Sequence, residues 1–291
     1  MSEKLKGALL GVVTVLIWGV TFVNTKVLLL DFNSFEILVL RFVLAYTALW
    51  AFAPRRLRIL SRRDECAFAA MGLSGVAAYQ FLENCAISYT NASNVAILVS
   101  ACPMGTAVLS AVFLKEMALT RCFVLSFLLA MSGVVLVCVG GVREFHFNPL
   151  GDFLAICAMM CWSAYSVLIT RTNGRGYEPM LAIRRTFFWA LVFMLPFLPF
   201  SCNFDLAANA ARFAKAGTYL NLGFLGLLAS ALAFVLWSRT CRALGTVRAT
   251  CGLYFIPVVT AVVAYFALGE SLTAMTGIGA VLTILGVILC G

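Results

Sequence analysis

A few polar and charged residues interrupt a sequence that is otherwise strongly apolar, and they are the first candidates for chemistry. Glu83 stands within one apolar stretch, and Tyr79 lies four positions before it, on the same face of a helix. A carboxylate inside a membrane helix costs about 3 kcal/mol unless it is paired, protonated or hydrated. Two interpretations are open. Glu83 binds a cationic group or a coupling proton, or it forms a structural ion pair with Arg41.

Two tryptophans fall near the centres of apolar stretches, although tryptophan is usually enriched at membrane interfaces. An indole N–H deep in a membrane needs a partner, so we expect Trp18 and Trp162 to face a cavity or another helix. Thr21 continues the helix face of Trp18, and Tyr165 continues that of Trp162. The alternative is that both faces are helix-packing seams.

Aromatic walls beside one carboxylate would suit an amine or a quaternary ammonium group through cation–π attraction. The same walls beside an arginine would suit an amphipathic amino acid. Arg41 and Arg185 are candidates to anchor a carboxylate, one on each side of the midplane, and structural pairing or snorkelling is the competing interpretation. The candidate substrate-binding residues are Trp18, Thr21, Tyr79, Glu83, Trp162, Tyr165 and Tyr254.

Several of these residues recur at fixed offsets, which indicates an internal repeat. Two residues recur 144 positions later and two others 154 positions later: Trp18 as Trp162, Arg41 as Arg185, Pro103 as Pro257, and Glu116 as Glu270. If each copy crosses a membrane an odd number of times, the second copy is inverted relative to the first. We predict two inverted repeats, residues 1–141 and 150–291, in one integrated membrane domain. Glu83 is matched by Trp237, so its charge is not part of the repeated frame.

Pro103 and Pro257 each fall near the middle of an apolar stretch. A proline there removes one backbone hydrogen bond and kinks the helix. Matching helix breaks in two halves point to a transport site near the midplane. The alternative is a pair of static kinks that only shape packing.

The composition predicts an all-α integral membrane protein. Apolar residues make up 63% of the 291 residues, charged residues 11%, and the mean hydropathy is +1.01. Apolar runs long enough to cross a bilayer recur ten times, which predicts ten transmembrane helices as two inverted five-helix repeats. These runs centre near Ile17, Leu44, Ala77, Pro103, Met131, Met160, Ala190, Gly226, Pro257 and Leu282.

The distribution of basic residues predicts the orientation, because cytoplasmic loops collect Lys and Arg. With the N-terminus inside, the predicted inner segments hold 14 of the 21 basic residues and the outer loops hold 3. We therefore expect a multi-pass protein of the cytoplasmic (inner) membrane with both termini cytoplasmic. The net charge of +9 follows this topology, so we expect no nucleic-acid partner.

Motifs of several enzyme classes are absent from the sequence. It contains no GxxxxGK[ST], HExxH or GxSxG pattern, and its one histidine is His146. The cysteines are scattered without a CxxC pair. We expect neither catalysis, nor a cofactor, nor a metal site.

Three segments carry a family resemblance that covers nearly the whole chain: GALLGVVTVLIWGVTF, SYTNASNVAILVSACPMGTAVLSAVFLKE and RALGTVRATCGLYFIPVVTAVVAYFALGE. They resemble the two EamA units of the drug/metabolite transporter superfamily. The resemblance implies ten helices, inverted five-helix repeats and a solute path between the halves.

The residues and the resemblance together predict a secondary transporter of small organic metabolites that works by alternating access. Amino acids or amines are the expected substrates, and the resemblance favours export over uptake. Membrane lipid and a coupling proton or ion are the other expected partners. The alternative is a flippase for lipids or lipid-linked metabolites. A lipid enzyme should show a polar catalytic cluster at one interface, and the sequence shows none.

Overall fold

A computed structural model describes residues 2–90, 92–115, 119–140, 148–201, 206–269 and 272–290, and all regular structure within them is helical. The α-helices are α1 Glu3–Leu28, α2 Ser34–Phe52, α3 Arg62–Gly72, α4 Tyr79–Tyr89, α5 Ala92–Ser100, α6 Cys102–Phe113, α7 Arg121–Gly140, α8 Pro149–Gly174, α9 Pro179–Met194, α10 Leu198–Ser201, α11 Leu206–Phe213, α12 Ala216–Gly223, α13 Ala233–Leu244, α14 Thr246–Cys251, α15 Phe255–Leu268 and α16 Ala274–Cys290. The prediction of an all-helical membrane protein is confirmed.

Eight helical segments of the described chain are long and apolar enough to cross a membrane: Glu3–Leu28, Ser34–Phe52, Asn94–Phe113, Arg121–Gly140, Pro149–Gly174, Pro179–Ser201, Ala216–Leu244 and Thr246–Ala267. A ninth apolar helix, Ala274–Leu289, is shorter. Residues 62–89 are helical throughout, but charged residues and Asn84 make this run less apolar than the others. The count of ten spans therefore stays a prediction.

Side-chain caps define where several of the long helices begin. The Asn33 side chain accepts from the Glu36 N–H while the Glu36 carboxylate accepts from the Asn33 N–H, so α2 starts with a capping box. Asn148 caps α8, whose first residue is Pro149. These local signals place the start of α8 directly after the junction between the two predicted repeats.

π-helical turns join the two parts of two long helical runs. Residues Leu73–Ala78 connect α3 to α4, and Phe224–Leu232 connect α12 to α13. The second π-helical turn includes every position that lies 154 residues after a position of the first π-helical turn. Short π-helical turns inside longer helices are frequent at functional sites. Because the two turns occupy matched positions, the side chains packed beside them are candidates for a functional site.

The first helix of each half packs into the other half. Helix α1 contacts α13 and α15, and α8 contacts α4 and α6. Glycines allow the closest approaches, because a Cβ at Gly7 would lie 2.4 Å from the Cβ of Ala243, and one at Gly151 would lie 2.9 Å from the Cβ of Thr90. Gly7 and Gly151 are 144 positions apart, so the two contacts are reciprocal.

Helices α7 and α16 form the most extensive helix pair of the described residues. Their backbones meet at Gly133 and Gly279, where a Cβ on Gly279 would lie 2.6 Å from the Gly133 carbonyl oxygen. The Ser126 hydroxyl donates to the Gly286 carbonyl at 2.6 Å. Small residues thus replace side-chain interdigitation with direct backbone contact.

Candidate functional site

Six aromatic side chains from four helices form one buried group, here called the aromatic cluster: Trp18, Tyr79, Trp162, Tyr165, Phe234 and Trp237. Trp18 of α1 and Trp162 of α8 meet edge to face, with ring centroids 5.5 Å apart. Trp237 of α13 lies 5.4 Å from Trp18, and Tyr79 of α4 lies 5.2 Å from Trp162. The cluster therefore joins the leading helices of both predicted repeats.

The cluster contains polar hydrogens that have no acceptor. Trp18 and Trp162 are 8% and 7% exposed, so both indoles face protein. The Nε1–H of Trp18 donates to the Ala229 carbonyl at 3.0 Å, in the second π-helical turn. In contrast, three buried polar groups have no hydrogen-bond partner among the described residues: Nε1 of Trp162, Nε1 of Trp237 and the Tyr165 hydroxyl. Unmet donors of this kind are costly, and a bound solute with acceptor oxygens would satisfy them.

Glu83 is attached to this cluster through Tyr79. The Tyr79 hydroxyl donates to Glu83 Oε1 at 3.1 Å, one helical turn away on α4. Tyr79 in turn packs on Trp162, so the carboxylate stands on the Trp162 side of the cluster. A carboxylate bonded to one ring of an aromatic cluster is a combination that can bind a positively charged group.

Arg41 stands on the Trp18 side. Its Nε–H donates to the Ser230 hydroxyl at 2.9 Å, and Ser230 follows Ala229, the acceptor of Trp18. Within the described chain, Arg41 and Glu83 make no ion pair at 4.0 Å or less, although their charges attract one another over a longer distance. A solute between them would meet one charge of each sign.

Arg185 does not join the aromatic cluster, although it matches Arg41 in the repeat. Its guanidinium pairs with the Glu65 carboxylate of α3, with Nε 2.9 Å from Oε1. The Trp189 indole N–H donates to the same oxygen at 2.7 Å. The two repeated arginines therefore have different direct partners, a neutral hydroxyl at Arg41 but a carboxylate at Arg185.

Two of the other predicted binding residues lie apart from the polar atoms of the cluster. Tyr254 packs in a separate apolar group with Ala107, Ala130 and Val134, and its buried hydroxyl has no partner. The Thr21 hydroxyl donates to the Trp18 carbonyl of its own helix. Glu116, His146 and Glu270 lie outside the described residues.

Both predicted kink prolines follow an interruption in a helix. Helix α5 ends at Ser100, and Pro103 lies in the first turn of α6. The 3-10 turn Gly252–Tyr254 separates α14 from α15, and Pro257 lies in the first turn of α15. The breaks occur at matched places in the two halves.

Polar contacts join the halves at one end of the bundle, and we call this group the inner contact after the orientation that the charge distribution predicts. The Tyr177 hydroxyl donates to Asp64 Oδ2 at 2.9 Å and accepts from the Leu60 N–H at 2.9 Å. Arg242 donates to the Tyr177 carbonyl at 2.6 Å. Burial and the neighbouring Asp64 carboxylate raise the pKa of Tyr177, so its hydroxyl keeps the proton that it donates.

Two ion pairs join the halves at the opposite end of the bundle. Arg212 pairs with Glu36 at 3.0 Å, and Lys215 pairs with Asp31 at 2.5 Å. At this end Asp31 of the loop after α1 and Glu36 of α2 contact the last turn of α11 and the segment after it. At the inner contact the loop after α8 contacts the segment after α2 and the first turn of α3. The aromatic cluster lies between these two sets of contacts.

The residues of this region that were predicted from the sequence are Trp18, Trp162, Tyr79, Tyr165 and Glu83, and those that were not predicted are Phe234, Trp237 and Ser230. Phe234 packs on Trp18 at 5.6 Å and on Trp162 at 6.1 Å. The available signal was its position three residues before Trp237, on the same helix face. Ser230 carried no signal that distinguishes it from other small residues in apolar helices.

The long apolar helices and the buried polar core between two halves are those of a multi-pass membrane transporter. The described residues contain no group of three or more His, Cys, Asp or Glu side chains placed to hold a metal ion. The chain belongs to the EamA-like transporter family, whose model matches residues 5–139 and again residues 149–291.

Relatives across almost the full length carry transporter names. An "Uncharacterized transporter" of Archaeoglobus fulgidus is 32% identical over 98% of this chain and 96% of its own. A "Probable terminal-alkyne amino-acid exporter" of Streptantibioticus cattleyicolor is 30% identical over 96% of this chain and 91% of its own. A "Probable amino-acid metabolite efflux pump" of Escherichia coli is 25% identical over 97% and 93%. These names indicate a small-molecule transporter rather than an enzyme.

A solved crystal structure shares the fold. It is 17% identical in sequence, covers 98% of this chain and 96% of its own, and superposes with a TM-score of 0.79. At this identity the similarity concerns the fold alone.

Proposed function

We propose that this protein is a secondary transporter that carries amino acids or amines across the cytoplasmic membrane by alternating access. The observation that carries this proposal is the aromatic cluster between the two halves, in which three buried polar groups lack a partner among the described residues and Tyr79 donates to the Glu83 carboxylate. Such a site combines cation–π surfaces, hydrogen-bond donors and one negative charge. The relatives named above as amino-acid exporters and efflux pumps support the substrate class and favour export.

The charges on the two sides of the cluster fit a zwitterion. In this proposal the substrate ammonium group binds Glu83, and its carboxylate is directed toward Arg41 and the Trp162 N–H. An apolar or aromatic side chain would then pack on the ring faces. A simple amine uses the Glu83 side alone. The proposal assigns no solute contact to Arg185, because Glu65 already pairs with it.

Alternating access follows from the proposed symmetry of the chain, with ten spans and inverted repeats at residues 1–141 and 150–291. Reciprocal contacts of Gly7 and Gly151 support this arrangement, as do matched π-helical turns and matched proline breaks. Contacts at both ends of the bundle would open in turn, which gives the central cluster access to one side at a time. A coupling proton on Glu83 is compatible with the same cycle.

Counterflow in proteoliposomes tests the function. Vesicles preloaded with unlabelled leucine or 3-methylbutylamine should accumulate the same radiolabelled compound when they contain wild-type protein. Glu83→Gln should abolish accumulation, whereas Glu3→Gln, which removes an exposed carboxylate near the N-terminus, should leave it unchanged. Absence of counterflow for amino acids and amines, with folded protein in the vesicles, would reject the proposed substrate class.

A further inference from the structure

A cavity lies away from the aromatic cluster, at the end of the bundle that holds the inner contact. Its volume is about 310 Å³, and helices α2 and α9 and the segment after α2 enclose it. Three arginines and three aromatic residues carry its chemistry: Arg56, Arg184, Arg185, Tyr46, Trp50 and Phe188. The proposed transport cycle uses none of these residues as a substrate ligand.

The cavity lies where a membrane helix ends. Helix α2 ends at Phe52, and α9 begins at Pro179. Phe52 is 80% exposed and Trp50 is 39% exposed, so the outer wall of the cavity continues into a surface that lipid must cover. Tryptophan and tyrosine are typical of the depth of the lipid headgroups. The cavity thus joins the interfacial layer and the lipid-facing surface.

Among the described residues, no carboxylate pairs directly with Arg184, which is a buried cation. It is 6% exposed and donates to the carbonyl groups of Ala53 and Arg55. Its guanidinium stacks over Trp50 at 4.9 Å. Within the described chain no carboxylate lies within 4.0 Å of it, whereas Arg185 has Glu65. Glu178 acts on Arg184 only from beyond this distance, and the direct partners of the guanidinium are neutral, which favours an added anion.

The mouth of the cavity adds a further positive charge. Arg56 is exposed and makes no hydrogen bond or ion pair with any described residue. The repeat does not require these charges, because the positions 144 residues away from Arg56 and Arg184 are Phe200 and Leu40. The basic cavity is therefore a feature of one face of the membrane only.

We propose that this cavity binds the headgroup phosphate of an anionic phospholipid, with Arg184 and Arg56 as its ligands and Trp50 against the first acyl carbons. Guanidinium groups match phosphate oxygens in geometry as well as in charge. Basic pockets between membrane helices on the cytoplasmic side suit lipid headgroups of this class. The predicted orientation of the chain places the cavity in that leaflet.

Native mass spectrometry of the full chain in a neutral detergent tests this site, with phosphatidylglycerol, phosphatidylcholine and soluble glycerol 3-phosphate as separate probes. The wild type should retain one phosphatidylglycerol in preference to phosphatidylcholine. Arg56→Gln should weaken this binding about fivefold, the effect expected for one basic residue at an anionic surface. Arg58→Gln is the matched control, because it removes an exposed charge from the same segment but does not line the cavity.

Arg184→Lys serves as a second variant that keeps the charge but loses the forked geometry, and it should also bind phosphatidylglycerol more weakly. Three results would overturn the proposal: equal retention of phosphatidylcholine, equal losses in Arg56→Gln and Arg58→Gln, or glycerol 3-phosphate binding as strong as that of the lipid. The last result would assign the cavity to a soluble phosphate compound. None of these readouts depends on transport, so they test the lipid site independently of the proposed function.

Discussion

Trp18 and Trp162 meet edge to face at 5.5 Å across the centre of the molecule, although 144 positions separate them in the sequence. Their indole N–H groups are not equivalent. Trp18 donates to the Ala229 carbonyl, whereas the Trp162 N–H is buried and has no acceptor among the described residues. The two rings therefore match in the repeat but differ in their hydrogen bonds, and in the proposed site the Trp162 N–H is the one that donates to the solute.

This difference predicts opposite effects of two matched substitutions. Trp18→Phe removes a satisfied hydrogen bond and should destabilise the protein by about 1 kcal/mol more than Trp162→Phe. Trp162→Phe should instead weaken amino-acid binding about threefold to tenfold, because it removes a donor that only the substrate uses. Thermal unfolding with and without leucine measures both effects. Equal effects of the two variants on both readouts would contradict the assignment.

The contact between α7 and α16 predicts a strong effect of one added methyl group. In Gly279→Ala the new Cβ would lie 2.6 Å from the Gly133 carbonyl oxygen, a contact that only backbone movement can relieve. We expect a loss of about 1–3 kcal/mol in stability. Gly277→Ala is the control on the same helix, because no atom lies within 4 Å of its Cβ position. It should be neutral or slightly stabilising, and unfolding measurements in detergent compare the two.

The inner contact predicts a change in accessibility. Tyr177→Phe removes the hydroxyl that joins Asp64 and the Leu60 N–H, so the halves should separate more readily at this end. The buried Cys241 of α13 should then react with N-ethylmaleimide about fivefold faster or more, relative to the exposed Cys66 in the same molecules. Mass spectrometry resolves the two sites. An unchanged ratio would show that the hydroxyl does not hold this end closed.

The charge distribution predicts the orientation of the chain in the membrane. Cys66 and Cys122 are exposed and belong to segments predicted to be cytoplasmic, whereas Ala216 is exposed at the opposite end. A membrane-impermeant maleimide should label Ala216→Cys in intact cells and should label Cys66 and Cys122 only after permeabilisation. Labelling of Cys66 in intact cells would show that the orientation of the chain is opposite to the predicted one. The proposed lipid site would then lie in the other leaflet.

Sequence reasoning predicted the fold class because membrane helices follow simple rules of length and polarity. It was less decisive for residues 62–89, where Glu83 and Asn84 occur within a continuous helix. Glu83, which lowers the hydropathy of this predicted span, is also a member of the candidate site. A functional residue in a membrane helix works against the hydropathy pattern that reveals the helix.

The members of the candidate site were predicted only in part, because repeat offsets in the sequence do not specify which side chains pack against one another. Trp18 and Trp162 were predicted because they repeat near the centres of their spans, and Glu83 was predicted because a carboxylate within a span is costly. Tyr254 was grouped with them on residue type alone, and packing places it in a separate apolar group. Arg41 and Arg185 differ because their partners differ. Arg41 donates to Ser230 and Arg185 pairs with Glu65, and these two partners do not occupy matching positions of the repeat.

The central claim is that Glu83 anchors the positively charged group of a transported solute. Thermal unfolding of purified wild type, Glu83→Gln and Glu3→Gln with leucine, 3-methylbutylamine and 4-methylpentanoate tests it most directly, because bound solute raises the melting temperature by mass action. We predict that leucine and the amine stabilise the wild type and Glu3→Gln, but that neither stabilises Glu83→Gln. Stabilisation of Glu83→Gln equal to that of the wild type would contradict the claim and assign Glu83 a structural role.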